Sequence, residues 1–238
     1  MFYINKHSPD SDLDFSEGNV IIFDKPEGIT SFDVIRKIRH IVKIKKIGHA
    51  GTLDPLASGL LIMCTGKMTK KIDVFQAQEK LYSGQIFLGA STASYDRETE
   101  VEEKFDISDI DDKQILELTK HFTGEIGQKP PIYSALKIDG ERSYKKAYRG
   151  EKPEMKERIV FIHEFSITGI ALPYISFIVK CSKGTYIRSL AHDFGKALNK
   201  GAYLHSLRRL KIGDYHVEDA LNFELFNNYL KRCVIKAL

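Results

Sequence analysis

Cysteine is scarce in this chain, and the three that occur, Cys64, Cys181 and Cys233, are far apart in 238 residues. They form neither an even-numbered disulfide framework nor a CxxC metal pair. The eight histidines show no HxxxH or mixed His/Cys spacing, and His192-Asp193 lacks the further ligands of a metal centre, so no metal is expected. No apolar run approaches the ~20 residues that span a bilayer. The amino-terminal MFYINKHSPDSD has no basic region followed by an apolar core. These absences exclude a disulfide-stapled secreted domain and a membrane helix, and the expected location is the cytoplasm. Internal repeats are absent too. Gly66-Lys67 suggests a phosphate loop, but Leu61 and Met68 stand where that motif needs a glycine and a Ser or Thr.

What is present is enough for a packed globule: 42% of the residues are hydrophobic, and the apolar stretches are regularly punctuated. The net charge of +4 is unevenly distributed. Residues 31–80 hold ten bases against four acids, and residues 81–120 hold ten acids against four bases. Counterion release rewards clustered Lys and Arg, so a phosphate-binding surface would use the first segment and turn the second away.

Residues 1–18 are polar and acidic and are expected to be poorly ordered, with residues 19–238 forming a single domain. Asn19 to Phe23 reads as a short strand. Ser31 reads as the N-cap of a basic amphipathic helix whose apolar stripe is Val34, Ile35, Ile38, Ile41 and Val42. Leu60 to Thr65 and Leu81 to Leu88 read as strands, with Cys64 and Cys181 as buried strand residues. Lys113 to Phe122 has helical period. Ile159 to Ile170 and Tyr174 to Cys181 suggest an antiparallel hairpin, and Ile187, Leu190, Ala191, Phe194 and Leu198 mark one face of a further helix. Hairpins with interspersed helices predict an α+β fold on a mainly antiparallel sheet rather than a βαβ array.

Four blocks carry chemistry. In Gly48 to Leu61, GHAGTLDPLASGLL, glycines permit close approach or positive φ, and Pro55 keeps Asp54 out of the α region. Asp54 is therefore the leading candidate for chemistry, although the same local spacing also fits a helix start with Asp54 as N-cap and Pro55 at the first helical position. In Cys181 to Leu190, CSKGTYIRSL, Arg188 falls in the first turn of a helix, where a cation opposes the helix dipole. Its guanidinium could answer a carboxylate with paired hydrogen bonds. Asp54, held ionised by that pairing, is one partner; a local acid or a phosphate is the other. Tyr82 and Tyr186 are either packing residues or aromatic faces for an unstacked base. In Phe122 to Gly150, Pro130-Pro131 fixes an extended stretch, Asp139-Gly140 makes a tight turn, and interleaved Tyr133, Lys137, Arg142, Tyr144, Lys145, Lys146, Tyr148 and Arg149 suit an RNA-facing lobe. In Gly201 to Gly213, Arg208, Arg209 and Lys211 are candidates for phosphate contact.

From Asn19 to about Ala220 the order and spacing of these blocks resemble the TruB family of tRNA pseudouridine synthases. The matching pieces are DKPEGITS at Asp24 to Ser31, GHAGTLDPLASGLL around Asp54, Lys80 to Tyr82, the block Gln128 to Gly140, KGTYIRSL and LRR. A pattern of the length of GHxGxLDPxAxGxL favours the catalytic reading of Asp54 over the helix start. The resemblance implies a pseudouridine-synthase-like fold with a mixed, mainly antiparallel sheet, flanking helices and a central catalytic cleft. It also implies a monomer that isomerises a uridine in the T-loop of tRNA by base flipping, binding the T-loop and stem and using no cofactor.

Carried over by resemblance, Asp54 is the nucleophile and Arg188 its ion-pair partner. Tyr82 stacks on the extruded base and accepts a proton late in the reaction. His49 fills the space the base leaves, Tyr186 and Leu204 line the pocket, and Lys25 and Pro26 shape its floor. Whether Asp54 attacks the ring or the ribose is left open. The segment ASTASYDRET after Gly89 departs from the family's TDTxDxxG: Ala93 replaces an acid and Thr99 a glycine. Tyr203 and Leu210 stand where histidine and threonine are common. With only Asn222 to Leu238 after the match, no carboxy-terminal PUA-like RNA-binding domain is expected. An RNA-binding protein without chemistry, or a synthase for other RNAs, remains as an alternative.

Overall fold

The computed structural model describes residues 2–151 and 153–235; Met1, of the expected segment 1–18, and Lys152 and residues 236–238, of the expected segment 19–238, lie outside them. Two compact units emerge, Met1–Tyr82 with Arg208–Leu238, and Ser83–Leu207.

In the first unit, strands run in the order Phe2–Ile4, Asn19–Lys25, Ala57–Thr65 and the end of Ala202–Ile212, with Ile47–Ala50 also on Ala57–Thr65 and Tyr215–His216 on Ala202–Ile212. Asn19–Lys25 and Ala57–Thr65 are antiparallel, from Val20 opposite Cys64 to Lys25 opposite Gly59. Successive side chains point to opposite faces. Ile21, Phe23, Leu61 and Met63 therefore pack with Val34, Ile35 and Ile38 of helix Ser31–Val42 and with Phe226 and Leu230 of helix Phe223–Arg232. Val20, Ile22, Leu60, Ile62 and Cys64 face the other way, against Phe75 of helix Ile72–Ala77 and Ile212. Both faces are covered, which explains why these strands read as continuous apolar runs rather than alternating ones.

Two readings of this region need correction. Residues 2–18 are not a loose lead: Phe2–Ile4 pairs in parallel with Asn19–Lys25, Asp12–Leu13 pairs with Val234–Ile235, and Ile4, Leu13 and Phe15 are buried. Three well-spaced apolar residues anchor a segment whose average composition is polar. The N-cap of the first helix is Thr30, not Ser31. Thr30 and Asp33 form a reciprocal capping box, which frees the Ser31 hydroxyl for another task.

In the second unit the strand order is the first part of Ala202–Ile212, then Lys80–Leu88, Tyr174–Cys181, Arg158–Ala171 and Gly124–Gln128. The expected hairpin is present as Arg158–Ala171 antiparallel to Tyr174–Cys181. Ile175, Phe177, Val179 and Cys181 are buried, and edge-on ring contacts of Phe165 with Phe177 (5.9 Å) and Phe194 (5.7 Å) join the sheet to helix Ile187–Ala197. Lys113 to Phe122 divides into an α-helix, Asp112–Leu118, and a 3-10 turn, Thr119–Phe122. Asp139 (φ 52°) and Gly140 (φ 83°) make the tight turn of a small hairpin. The fold is α+β with a mainly antiparallel sheet, as the sequence predicts.

Candidate active site

The chain around Asp54 starts no helix. Ile47–Ala50 runs antiparallel to Ala57–Thr65, with Ala50 opposite Ile62, and Asp54 lies in the loop that joins them. The Ala57 N–H donates to the Asp54 carbonyl at 3.1 Å, closing a turn that leads directly into the strand. Asp54 itself is half-buried.

Neighbouring elements pin this loop at several points. The Ser31 hydroxyl donates to the Leu53 carbonyl (3.0 Å) and accepts from the Leu53 N–H (2.9 Å). The Gly28 N–H donates to the Pro55 carbonyl at 2.8 Å. Arg209, only 1% exposed, donates from Nε to the Leu60 carbonyl (2.7 Å) and from Nη2 to the Gly51 carbonyl (3.0 Å). Gly59, at φ +104°, lies against the strand that carries Arg209: an added Cβ would sit 2.3 Å from the Arg209 carbonyl oxygen. Such a contact admits glycine alone.

Lys25 is fully buried, and its Nζ donates to the carbonyls of Ile29 (2.7 Å), Pro26 (2.9 Å) and, at 3.4 Å, Pro55. Burial pushes its ammonium down to about 8, against which the Asp54 carboxylate is the leading charge that favours protonation. Pro26 is exposed. His49, half-buried on Ile47–Ala50, is held below the usual imidazole value by burial and then by Arg209. Tyr82 is 8% exposed on Lys80–Leu88.

In the second unit, Arg188 occupies the first turn of Ile187–Ala197, as expected, and is 4% exposed. Its Nη1 donates to the carbonyls of Tyr133 (2.9 Å) and Ser94 (3.2 Å) and lies 3.7 Å from the Asp96 carboxylate, which is equally buried. Asp96 is thus the local acid that sequence left open as a partner. The start of that helix is fixed by Gln128, 2% exposed, whose side-chain amide donates to the Tyr186 carbonyl (2.9 Å) and accepts from the Tyr186 N–H (2.7 Å). The Ser189 hydroxyl donates to the Lys129 carbonyl at 2.7 Å. Tyr186 is half-buried at the N-cap and Leu204 is 5% exposed.

Some of the basic residues expected to contact phosphate or face RNA are engaged within the protein. Arg209 is buried as described, and Arg208 forms a two-pronged pair with Asp24 (3.0 and 2.7 Å). Arg149 grips Glu141 through two bonds of 2.7 Å and Glu151 through one of 2.8 Å. Gln128, Ser31, Arg209 and Asp96 escaped sequence reasoning as positioning groups, because each acts through backbone or charge partners at least 22 residues away. Among the described residues no three His, Cys, Asp or Glu side chains are grouped to hold a metal ion, and no helix is long and apolar enough to cross a membrane.

Residues 39–187 match the model of the TruB family pseudouridylate synthase N-terminal domain, which is more than half of the chain. The chain belongs to the TruB family. It is similar to tRNA pseudouridine synthase B of Flavobacterium johnsoniae, with 52% identity over 92% of this chain and 98% of that protein. The protein of the same name from Phocaeicola vulgatus is 47% identical over 92% of this chain and 95% of its own length. Among solved structures it resembles a chain of a Cbf5-Nop10-Gar1 complex, with a TM-score of 0.69 and 28% identity over 91% of this chain. The chain spans little more than half, 56%, of that solved chain. As a TruB-family enzyme the protein is a pseudouridine synthase, an isomerase that acts on uridine in RNA.

Proposed function

We propose that this TruB-family enzyme isomerises a uridine in the T-loop of tRNA, with Asp54 as the nucleophile. The observation that carries the reading is a half-buried acid on a turn braced by Ser31, Gly28 and Arg209 and next to a buried ammonium, Lys25. A rigid, partly desolvated carboxylate is what covalent chemistry on a pyrimidine nucleotide requires. Arg188 is its ion-pair partner, and Asp96 and two carbonyls hold the guanidinium. Tyr82 stacks on the extruded base and takes the proton lost from its C5. His49 fills the gap in the RNA, Tyr186 and Leu204 line the pocket, and Lys25 and Pro26 form its floor.

The reaction breaks the bond from C1′ to N1 and forms one from C1′ to C5, with the C5 proton leaving and N1 gaining one. It requires no redox partner, and the chain acts as one catalytic domain, monomeric and cytoplasmic, on the T-loop and stem. The test is to treat unmodified tRNA transcripts with the full chain and map pseudouridine by nucleotide. Modification confined to the T-loop uridine supports the reading, whereas modification of ribosomal or messenger RNA in preference to tRNA refutes it.

A further inference from the structure

The segment that departs from the family pattern, residues 90–99, has a definite structure. Ala90–Thr92 pairs antiparallel with Val101–Lys104, and the chain between them is tied by its own side chains. Thr92 Oγ1 donates to the Asp96 carbonyl (2.7 Å), the Ser94 N–H to Thr99 Oγ1 (3.1 Å), the Thr99 N–H to Ser94 Oγ (3.2 Å) and the Glu98 N–H to Asp96 Oδ1 (2.9 Å). Thr99, where the family has glycine, thus fastens the loop rather than disturbing it.

At the centre of this loop Tyr95 has φ +63°. The other described non-glycine residues with positive φ are Lys43, which caps a helix, Asp139, in a tight hairpin turn, and Asn199, just past a helix end. Nothing intrinsic favours that conformation for an aromatic residue, so its surroundings must impose it. Two contacts do so. The Leu204 N–H donates to the Tyr95 carbonyl at 2.9 Å, and the Tyr95 ring lies flat on His192, with centroids 3.8 Å apart and planes at 14°. Burial, and then Lys196, lower the His192 pKa, which favours the neutral ring for stacking.

The residues on either side of Tyr95 are those that face Arg188: the Ser94 carbonyl at 3.2 Å and the Asp96 carboxylate at 3.7 Å. Rotation about φ of Tyr95 turns the peptide that carries the Ser94 carbonyl relative to Asp96, so the two partners cannot keep their places if Tyr95 relaxes to negative φ. His192 lies four residues, about one helical turn, after Arg188 on the same helix, so the two side chains share a face.

We propose that His192, stacked on Tyr95, is a positioning residue for the Arg188 guanidinium, acting through the Ser94 carbonyl and the Asp96 carboxylate. This inference rests on the reading of Arg188 as the partner of Asp54. A ring that merely filled space would matter for stability but not specifically for Arg188.

The test uses the full chain in single-turnover tritium release from tRNA labelled at uridine C5, with tRNA affinity measured separately. For His192→Ala the rate should fall about 10- to 100-fold, the scale of a small misplacement of a catalytic group, with tRNA affinity within a few fold. His192→Phe, which keeps a flat ring, should recover most of the loss and serves if His192→Ala fails to fold. In an Arg188→Lys background, His192→Ala should add less than about 3-fold, because the two residues act as one unit. A full additional loss in that background, failure of His192→Phe to recover, or an unchanged rate in His192→Ala would overturn the proposal. Wild-type turnover by Arg188→Lys would instead overturn the reading of Arg188 and the inference with it.

Discussion

The buried ammonium of Lys25 and the carboxylate of Asp54 influence each other directly: desolvation pushes Lys25 down to about 8, and Asp54 is the first of the charges that resist the shift. The native value lies below the ordinary lysine value of 10.5, so between those two pH values the unfolded chain holds a proton that the native chain has released. This group therefore lowers stability below pH 8, and the penalty fades as pH rises toward 10.5. In Asp54→Asn the supporting charge is gone, and the Lys25 midpoint should move lower still. A nitrogen-detected NMR titration of the lysine side chains checks this, and an unchanged or raised midpoint would break the proposed coupling.

Arg188 is buried, with two carbonyls and a carboxylate on its Nη1 alone; a guanidinium carries Nε and Nη2 donors besides, and a lysine ammonium has no counterpart to them. Arg188→Lys should lower single-turnover rate by about 100-fold, the scale of losing an oriented electrostatic group, with tRNA affinity little changed. Rapid-quench measurement of tritium release provides the comparison, and equal rates would remove Arg188 from the catalytic group.

The turn at Asp54 depends on the close approach of Gly59 to the strand bearing Arg209. Gly59→Ala would place a methyl group 2.3 Å from the Arg209 carbonyl oxygen at a positive φ, and should destabilise the fold by about 2–4 kcal/mol from overpacking and backbone strain together. Gly140→Ala has positive φ but open space around its Cβ, and should cost only about 1–2 kcal/mol. Urea unfolding of the two variants side by side tests the difference; equal costs would show that the contact with Arg209 is unimportant.

Much of the fold was legible because periodicity and packing agree. The stripe Val34, Ile35, Ile38 and Val42 is buried, the hairpin ending at Cys181 is present, and Arg188 sits in a first helical turn. Near Asp54 the local signals were ambiguous, since Asp-Pro can open a helix. The strand Ala57–Thr65 prevails because its apolar residues are demanded on both sheet faces. Residues 2–18 misled for the opposite reason: a few buried side chains outweigh a polar average. Among the candidate residues, the types at Asp54, Tyr82 and Arg188 could be read from motifs. The bracing could not, because the amide of Gln128, the hydroxyl of Ser31 and the guanidinium of Arg209 bind backbone groups that only the folded chain brings within reach.

The role of Asp54 is tested most directly by single-turnover tritium release from uridine-labelled tRNA with the Asp54→Asn variant, whose side chain keeps the shape and loses the charge. The expected result is no release above background, with tRNA still bound within a few fold of the unaltered protein. Release at a measurable fraction of the normal rate would mean that another group attacks the nucleotide.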